Sequence, residues 1–201
     1  LAVGTGRIAL PLAATGLEVH GIDASAPMVE KMRAKPGGDA IPTRIGDMAD
    51  VDIDGAFDLV YLVFNTIFNV TSQEAQVRCF QNAAHHLTDK GVFVIETVLP
   101  ELDGIVNGHA VRGMGVTKDS ARFEVVAHDP VKQTMNYQRV VIRGDGTAKL
   151  HPLAMRYAWP SEFDLMARLA GLELRHRWGW WDRRPFTADS TSHVSVYGKV
   201  S

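Results

Sequence analysis

Small residues near the start of the chain have types and a spacing that could support ligand binding. Gly4 and Gly6 follow the apolar Val3, and Asp23 comes 19 residues after Gly4, at the end of the next apolar stretch. Small residues between a strand and a helix let a ligand approach the backbone, and the start of the helix offers free N–H groups. A carboxylate at the end of the second strand can accept hydrogen bonds from both hydroxyls of a ribose. These residues predict a nucleoside ligand at the carboxyl edge of a parallel sheet.

Two classes of nucleoside cofactor fit this pattern. Residues 4–9, Gly-Thr-Gly-Arg-Ile-Ala, match the G-x-G-x-x-G/A dinucleotide fingerprint, so an NAD(P)-dependent oxidoreductase is one alternative. Asp23 follows Ala9 by only 14 residues, however, whereas the dinucleotide pattern places its acidic residue about 20 residues further on. The sequence also lacks the Tyr-x-x-x-Lys pair of dehydrogenases. The glycine turn and Asp23 alone therefore do not decide between the two classes of cofactor, and the elements that follow them in the sequence are needed.

Strands and helices alternate over the first half of the chain. Apolar runs predict strands at residues 17–22, 41–45, 57–64 and 92–98. Helices are predicted to start at Gly6, at Ser25, and at a capping box formed by Thr71 and Glu74. This alternation predicts a doubly wound, mostly parallel sheet with helices on both faces.

The alternation of strands and helices stops at about residue 103 and resumes at about residue 160. Phe123, Val125 and Ala127 alternate with residues on the other face, and a Gly-Asp-Gly turn at residues 144–146 separates two further strand-like runs. We therefore predict three parts: an α/β core at 1–102, an antiparallel β insertion at 103–159, and a return to the core at 160–201. The return consists of a helix capped by Ser161 and two strands at 172–178 and 193–200.

An ordered set of short motifs gives these parts a family resemblance. The motifs are Gly4-Thr5-Gly6, residues 21–25 with Met28, Gly46-Asp47-Met48, residues 57–60, residues 87–91 and Val94-Ile95-Glu96. In this order they resemble the class I S-adenosylmethionine (SAM) dependent methyltransferases, from residue 1 to about residue 100 and again in the closing helix and strand pair. The resemblance implies a Rossmann-like fold and SAM as the cofactor. It also implies a strand ahead of Leu1, so the natural protein is expected to extend further toward its N-terminus.

The resemblance implies a role for each matching residue. Gly4 and Gly6 would line the methionine portion of SAM, and Asp23 would hold the ribose hydroxyls. Asp47 would accept a hydrogen bond from the adenine amino group, with Met48 covering the adenine face. The further implied cofactor contacts are Ala2, which stands where most members have a glycine, with Ala24, Met28, Val63 and Phe64.

The insertion resembles the substrate lid of small-molecule members such as the glycine-type and amino-sugar N-methyltransferases. The implied activity is methyl transfer to an amine or hydroxyl of a small molecule. A catalytically silent SAM-binding protein is the second alternative to this activity. His128, in the insertion, is the best candidate for a general base, because an imidazole can accept a proton near neutral pH; a solvated histidine at a strand end is the alternative. The candidate substrate contacts are Asn65, Phe68, Asn69 and Tyr137, and no residue is predicted to bind a metal.

Composition and net charge limit the kinds of binding partner and the cellular compartment that the sequence favours. Hydrophobic residues make up 46% of the 201 residues and charged residues 22%, which is typical of a globular protein rather than a disordered or membrane-spanning one. A net charge of −2 does not favour a nucleic-acid partner, and residues 65–67 lack the Asn-Pro-Pro-Tyr motif of methyltransferases that act on bases. The single cysteine, Cys79, favours a reducing, cytoplasmic location. The sequence leaves the oligomeric state open.

Overall fold

The computed structural model describes residues 1–200. Its helices are α1 (Ala9–Ala13), α2 (Ala26–Arg33), α3 (Gln73–His85) and α4 (Pro160–Leu169), with a short 3-10 helix at Thr66–Asn69. Its strands are β1 (Gly21–Asp23), β2 (Thr43–Ile45), β3 (Phe57–Leu62), β4 (Leu87–Val98), β5 (His109–Thr117), β6 (Ser120–Asp129), β7 (Thr134–Arg143), β8 (Ala148–Arg156), β9 (Leu172–Trp178) and β10 (Ser192–Lys199). None of the helices in this range is long and apolar enough to cross a membrane.

Residues 1–3 join two groups of strands into one layer. β1 pairs with β2 in parallel, and a second group has the order β3-β4-β10-β9, in which only β10 is antiparallel to its neighbours. The Val3 amide donates to the Ile22 carbonyl at 2.9 Å, and the Leu1 amine donates to the Tyr61 carbonyl at 2.8 Å. The layer therefore runs β2-β1-(1–3)-β3-β4-β10-β9, and the doubly wound, mostly parallel fold predicted from the sequence is confirmed.

Hydrophobic clusters cover both faces of this layer. The smaller cluster contains Ala9 of α1 and Met32 of α2, and Val3 packs against it. The larger cluster contains Phe80 of α3 and Phe163 of α4, both fully buried. Helices on both faces explain why strands such as β3 read as nearly continuous apolar runs.

The insertion forms an antiparallel meander, β5-β6-β7-β8, which we call the lid sheet. The Gly-Asp-Gly turn connects β7 to β8 as predicted. The inner face of the lid sheet contributes Ala110, Val126 and Met135 to the larger hydrophobic cluster. The lid sheet and the α/β part therefore share one core.

Polar contacts fasten the end of the lid sheet to α3 and α4. Gln76 of α3 is fully buried, and its side-chain amide donates to the Arg156 carbonyl at 2.9 Å. The Arg156 guanidinium in turn donates to the Glu162 carboxylate at 2.6 Å. Burial alone would raise the pKa of Glu162, but hydrogen bonds from Arg156, Gln133 and Gln73 outweigh it and lower that pKa. The charged form of this carboxyl is therefore the one that the fold stabilises.

Several predicted boundaries differ from the structure. Ser72, not Thr71, caps α3, by accepting a hydrogen bond from the Ala75 amide at 3.2 Å. The N-cap of α4 is Trp159 rather than Ser161, because Pro160 already has the helical φ angle that its ring imposes. The first predicted strand shortens to Gly21–Asp23, and β4 starts at Leu87 instead of residue 92.

Candidate active site

The glycine turn and the end of β1 hold each other through the Asp23 carboxylate. The Gly4 amide donates to one carboxylate oxygen at 2.6 Å, and the Ser25 amide donates to the other at 2.8 Å. Gly6 has a φ of +77°, and a Cβ added there would lie 2.6 Å from Cγ of Met32. Gly6 is thus required for both conformation and space. Each Asp23 oxygen keeps a lone pair that can accept a further hydrogen bond.

A cavity of about 310 Å³ lies at the carboxyl ends of β1 and β2. Five of the predicted cofactor residues line it: Ala2, Asp23, Ala24, Asp47 and Met48. The other lining residues are Gly46 and a segment leading into α3: Asn69, Val70, Thr71, Ser72 and Ala75. The structure therefore places Asn69, a predicted substrate contact, beside the predicted cofactor residues.

Asp47 presents a carboxylate oxygen to this cavity. Its Oδ1 atom accepts a hydrogen bond from the Ala49 amide at 2.9 Å, and its carbonyl accepts from the Asp50 and Val51 amides. Within residues 1–200, Oδ2 of Asp47 has no hydrogen-bond partner. The turn thus fixes the side chain and leaves one acceptor for a ligand.

The residues that follow β3 adopt an unusual backbone conformation. Phe64 and Asn65 both have a φ of +59°, a left-handed conformation that side chains with a Cβ rarely adopt. Oδ1 of Asn65 accepts a hydrogen bond from the Val98 amide at 2.6 Å, so this side chain ties the ends of β3 and β4 together. Phe64 is 51% exposed, and the Arg7 guanidinium lies 4.7 Å from its ring centroid.

Seven predicted site residues line neither this cavity nor the larger one described next; they include Phe64, described above, and His128, described below. Gly4, Gly6 and Met28 belong to the glycine turn and the helix packed against it, where Cε of Met28 would lie 3.6 Å from a Cβ on Gly4. Val63 is buried at the end of β3. Asn65, a predicted substrate contact, instead makes the hydrogen bond to Val98.

A larger cavity, of about 660 Å³, lies between part of the inner face of the lid sheet and the α/β part. Phe68 and Tyr137, two predicted substrate contacts, line it. Phe68 and Asn69 are consecutive residues of the 3-10 helix, and each lines a different cavity. The two cavities therefore lie on either side of one short helix.

Three carboxylates and two guanidinium groups line the larger cavity, and they come from Glu101, Asp103, Glu124, Arg112 and Arg139. Arg112 donates to the Glu101 and Asp103 carbonyls at 3.2 and 3.1 Å. Glu124 is only 9% exposed, and its one hydrogen bond within residues 1–200 comes from Arg139 at 3.4 Å. Glu124 is therefore a buried carboxylate that lies in register between Arg112 and Arg139 and accepts one long hydrogen bond.

Two tyrosines share this cavity with Glu124. The Tyr137 hydroxyl donates to the thioether of Met135 at 2.7 Å, and burial, with the added effect of Glu124, raises the pKa of Tyr137. Burial also raises the pKa of Tyr157. Both hydroxyls therefore stay protonated at neutral pH.

His128 does not line the cavity. Its Nε2 atom lies 3.0 Å from the Tyr157 hydroxyl, which does line it. Tyr157 therefore links His128 to the cavity, and His128 has no direct contact with a ligand bound there. Alternation along β6 places Glu124 on the same face as Val126 and His128, but the sequence analysis assigned no role to Glu124 or to Tyr157, which follows β8 directly.

A possible metal-binding group lies away from both cavities. Asp52, His85 and His86 place ligand atoms within 4.8 Å of one another, whereas no metal ligand was predicted from the sequence. Nε2 of His86 already accepts a hydrogen bond from the Ile53 amide at 3.2 Å. Its other ring nitrogen donates to the Asn82 carbonyl at 2.8 Å. The imidazole thus links the loop after β2 to the end of α3.

Comparison with known proteins decides the family. The family described as "Methyltransferase domain" matches residues 1–91. The cypemycin N-terminal methyltransferase of a Streptomyces species is 30% identical over 202 residues, covering 98% of this chain and 80% of that protein. The chain belongs to the class I SAM-dependent methyltransferases.

Two solved structures of methyltransferases extend this finding. The CcbJ methyltransferase from Streptomyces caelestis is 36% identical with a TM-score of 0.91, over 100% of this chain and 82% of that one. SAM-bound CalS10 from Micromonospora echinaspora, an amino pentose methyltransferase, has a TM-score of 0.71 at 21% identity, over 99% and 81% of the two chains. The latter comparison supports the fold alone. The oxidoreductase alternative finds no support among these relatives.

The cofactor of this methyltransferase is SAM, and the smaller cavity fits its adenosine part. The free lone pairs of Asp23 suit hydroxyl donors, the free oxygen of Asp47 suits an amino donor, and Met48 offers an apolar thioether. When bound, SAM supplies a methyl group that is already activated by the positive sulfur. The protein's main contribution is then to hold the acceptor in position, which can supply about 7–11 kcal/mol.

Proposed function

We propose that this methyltransferase methylates an amine of a small molecule or of a peptide amino terminus, bound in the larger cavity. The observation that carries the proposal is the Glu124 carboxylate, which is 9% exposed and has a single hydrogen bond of 3.4 Å within residues 1–200. Arg112 and Arg139 lie opposite Glu124 on the neighbouring strands, but neither makes a short hydrogen bond to its carboxylate within residues 1–200. A bound cation in direct contact would compensate this carboxylate further. An acceptor ammonium would supply that charge with short, charge-assisted hydrogen bonds.

The same carboxylate suits the chemistry of an amine acceptor. An ammonium has to lose a proton before its nitrogen has a lone pair that can attack the methyl group, and a carboxylate beside it can accept that proton. Tyr137 lies in register with Val126 on the neighbouring strand, two positions from Glu124. We assign Glu124 to proton acceptance and Tyr137 to orientation of the acceptor nitrogen.

The relatives favour an amine as well. The name of the cypemycin enzyme specifies an N-terminal amine, and CalS10 acts on an amino pentose. Neither name fixes the acceptor of this chain, but both place amine acceptors among proteins of this fold.

The smaller cavity receives the adenosine part of SAM in this proposal. Asp23 holds the ribose hydroxyls, Asp47 accepts from the adenine amino group, and Met48 covers the ring. The family resemblance assigns Gly4 and Gly6 to the methionine portion, and the structure shows that the missing side chain of Gly6 makes room for Met32 of α2. The roles of Ala2, Ala24, Met28, Val63 and Phe64 stay predictions of the family resemblance.

The test compares amine acceptors with matched acceptors that lack the amine. The probes are an amino sugar, a short peptide with a free amino terminus, the same peptide N-acetylated, and the corresponding neutral sugar. Mass spectrometry should show methylation of an amine probe and none of its neutral counterpart. Methylation of the neutral sugar would overturn the amine assignment. Binding of S-adenosylhomocysteine without transfer to any probe would instead support the silent-binder alternative.

Glu124→Gln tests the residue assignment. We expect a fall in kcat/KM of about 10- to 100-fold, the range for losing a hydrogen bond to a charged group, with unchanged affinity for S-adenosylhomocysteine. Glu30→Gln is the control, because Glu30 is exposed on α2. An unchanged kcat/KM in Glu124→Gln would exclude this carboxylate from acceptor binding.

A further inference from the structure

One face of α3 holds the loop that follows β2. Arg78, Asn82 and His86 are spaced four residues apart, so their side chains lie on the same side of the helix. Each contacts the loop at residues 47–53, which includes Asp47 and Met48 of the smaller cavity. We call these three residues the α3 row.

Asn82 makes the central contacts of the α3 row. Its side-chain amide donates to the Met48 carbonyl and to the Val51 carbonyl, both at 3.0 Å. Both hydrogens of the amide group are therefore used on the loop. The Asp47 carbonyl accepts from the Val51 amide at 2.9 Å. The turn is therefore held both by its own backbone hydrogen bond and by the side chain of Asn82.

The flanking residues fix the remainder of the loop. Arg78 donates to the Asp50 carboxylate at 2.8 Å in an exposed ion pair. His86 is buried; its Nε2 atom accepts from the Ile53 amide at 3.2 Å and lies 3.0 Å from Oδ1 of Asp52. The α3 row thus contacts the loop at its start, middle and end.

We propose that Asn82, supported by Arg78 and His86, is a positioning residue that sets Asp47 and Met48 for selection of adenine over other purines. None of the three lines the cavity, so they act only through the loop. The proposal rests on the proposed contact between Asp47 and the adenine amino group. A carboxylate held in one place accepts from an amino group and repels a carbonyl oxygen at the same ring position. Loosening the loop should therefore reduce discrimination as well as affinity.

The experiment compares two ligands that differ at one ring position. S-adenosylhomocysteine carries the purine 6-amino group, and S-inosylhomocysteine carries an oxygen there. Calorimetry on the wild-type protein should show tighter binding of the adenosine compound. In Asn82→Ala we expect affinity for S-adenosylhomocysteine to fall about tenfold, with little change for S-inosylhomocysteine. The affinity ratio of the two ligands should therefore shrink.

Two further variants isolate the amide donors. Asn82→Asp has nearly the same shape but no N–H donors, and we expect it to behave like Asn82→Ala. Gln81→Ala is the matched control, because Gln81 is the exposed neighbour on the same helix, and both affinities should be unchanged. If Asn82→Ala fails to fold, Asn82→Ser, which keeps one donor, should still show a reduced ratio.

Hydrogen exchange of the free protein provides a readout without any ligand. Amides of residues 47–53 should exchange faster in Asn82→Ala than in Gln81→Ala, while amides of β4 stay protected. Equal weakening of both ligands in Asn82→Ala, or unchanged exchange in the loop, would overturn the proposal. A wild-type protein that binds S-adenosylhomocysteine but does not discriminate between the ligands would instead contradict the Asp47 contact on which it rests.

Discussion

Ala2 occupies a backbone conformation that favours glycine. Its φ is +53°, in the left-handed region where a Cβ is strained. The family resemblance places Ala2 where most members have a glycine. The left-handed φ explains this preference, because conformation as well as size decides the residue type at this position.

Ala2→Gly should therefore stabilise the protein. We expect the free energy of unfolding to rise by about 1 kcal/mol, because relief of the left-handed strain outweighs the extra entropy of glycine in the unfolded chain. Urea denaturation of the two proteins measures this difference. A lower midpoint for Ala2→Gly would show that alanine is not strained at this position.

Asp23→Ala should weaken binding of S-adenosylhomocysteine. The carboxylate accepts from the Gly4 and Ser25 amides, so its loss removes both the proposed ribose contact and the link that shapes the glycine turn. We expect a loss of affinity of about 10- to 150-fold, from about 1.5–3 kcal/mol for a charged hydrogen bond. Calorimetry measures it, with the exposed Asp39→Ala as control. Equal affinities in the two variants would contradict the ribose assignment.

At the scale of elements, His193 of β10 links two strands through a buried polar contact. Its ring nitrogens lie 2.9 Å from the Thr97 hydroxyl and 2.8 Å from the Ser195 hydroxyl. Burial, with a further contribution from Arg177, lowers the pKa of His193 from 6.5 to about 4. The folded protein thus keeps this histidine neutral.

This histidine should make the protein less stable in mild acid. Between pH 6.5 and pH 4 the unfolded chain binds a proton at His193 that the folded chain does not. The free energy of unfolding therefore decreases as the pH is lowered through this window, and His193 does not affect it above pH 6.5. We expect a loss of about 2 kcal/mol between pH 7 and pH 5. Urea denaturation at both pH values measures it. His193→Gln should lack this loss, and an equal loss in the variant would assign it to other groups.

Element types were predictable from sequence because β3 is a nearly continuous apolar run and β6 shows alternation. The alternation did not identify the covered face of β6, because Glu124 and Val126 are buried whereas Val125 is 37% exposed. The predicted start of α3 was wrong where two candidate caps are neighbours in sequence. Thr71 and Ser72 can both cap a helix, and only the backbone of the folded chain, which is extended at Ser72 and helical from Gln73, selects Ser72. Short motifs of the α/β part predict five residues that line the smaller cavity. The alternation in β6 places Glu124 on the inner face, but the cavity that it lines forms between distant segments and leaves no pattern in the sequence.

At the scale of the whole molecule, the lid sheet and the α/β part should unfold as one unit. Met135 of the lid sheet is 4% exposed and belongs to the same cluster as Phe80 and Phe163. Met135→Ala should cost about 2–5 kcal/mol of global stability, since it removes buried side-chain volume. Tryptophan fluorescence and far-UV circular dichroism should give coincident transitions in the wild-type protein and the variant. A separate transition for the lid sheet would contradict the shared core.

The shared core also decides how the role of the lid sheet in acceptor binding can be tested. Replacing residues 103–159 with a Gly-Ser loop would expose the clustered residues of α3 and α4, so loss of activity would not report on the acceptor alone. Single substitutions on the cavity wall, such as Glu124→Gln, keep the core intact and give a clearer readout.

The inner face of the lid sheet forms both a wall of the larger cavity and part of the hydrophobic core, and this limits how the substrate range of the enzyme can change. Met135 packs in the cluster and also lines the larger cavity. A substitution that enlarges the cavity for a bulkier acceptor therefore also removes core volume. Directed evolution toward such acceptors should first accumulate stabilising changes elsewhere in the chain, because a starting protein with a stability reserve tolerates more substitutions on this wall.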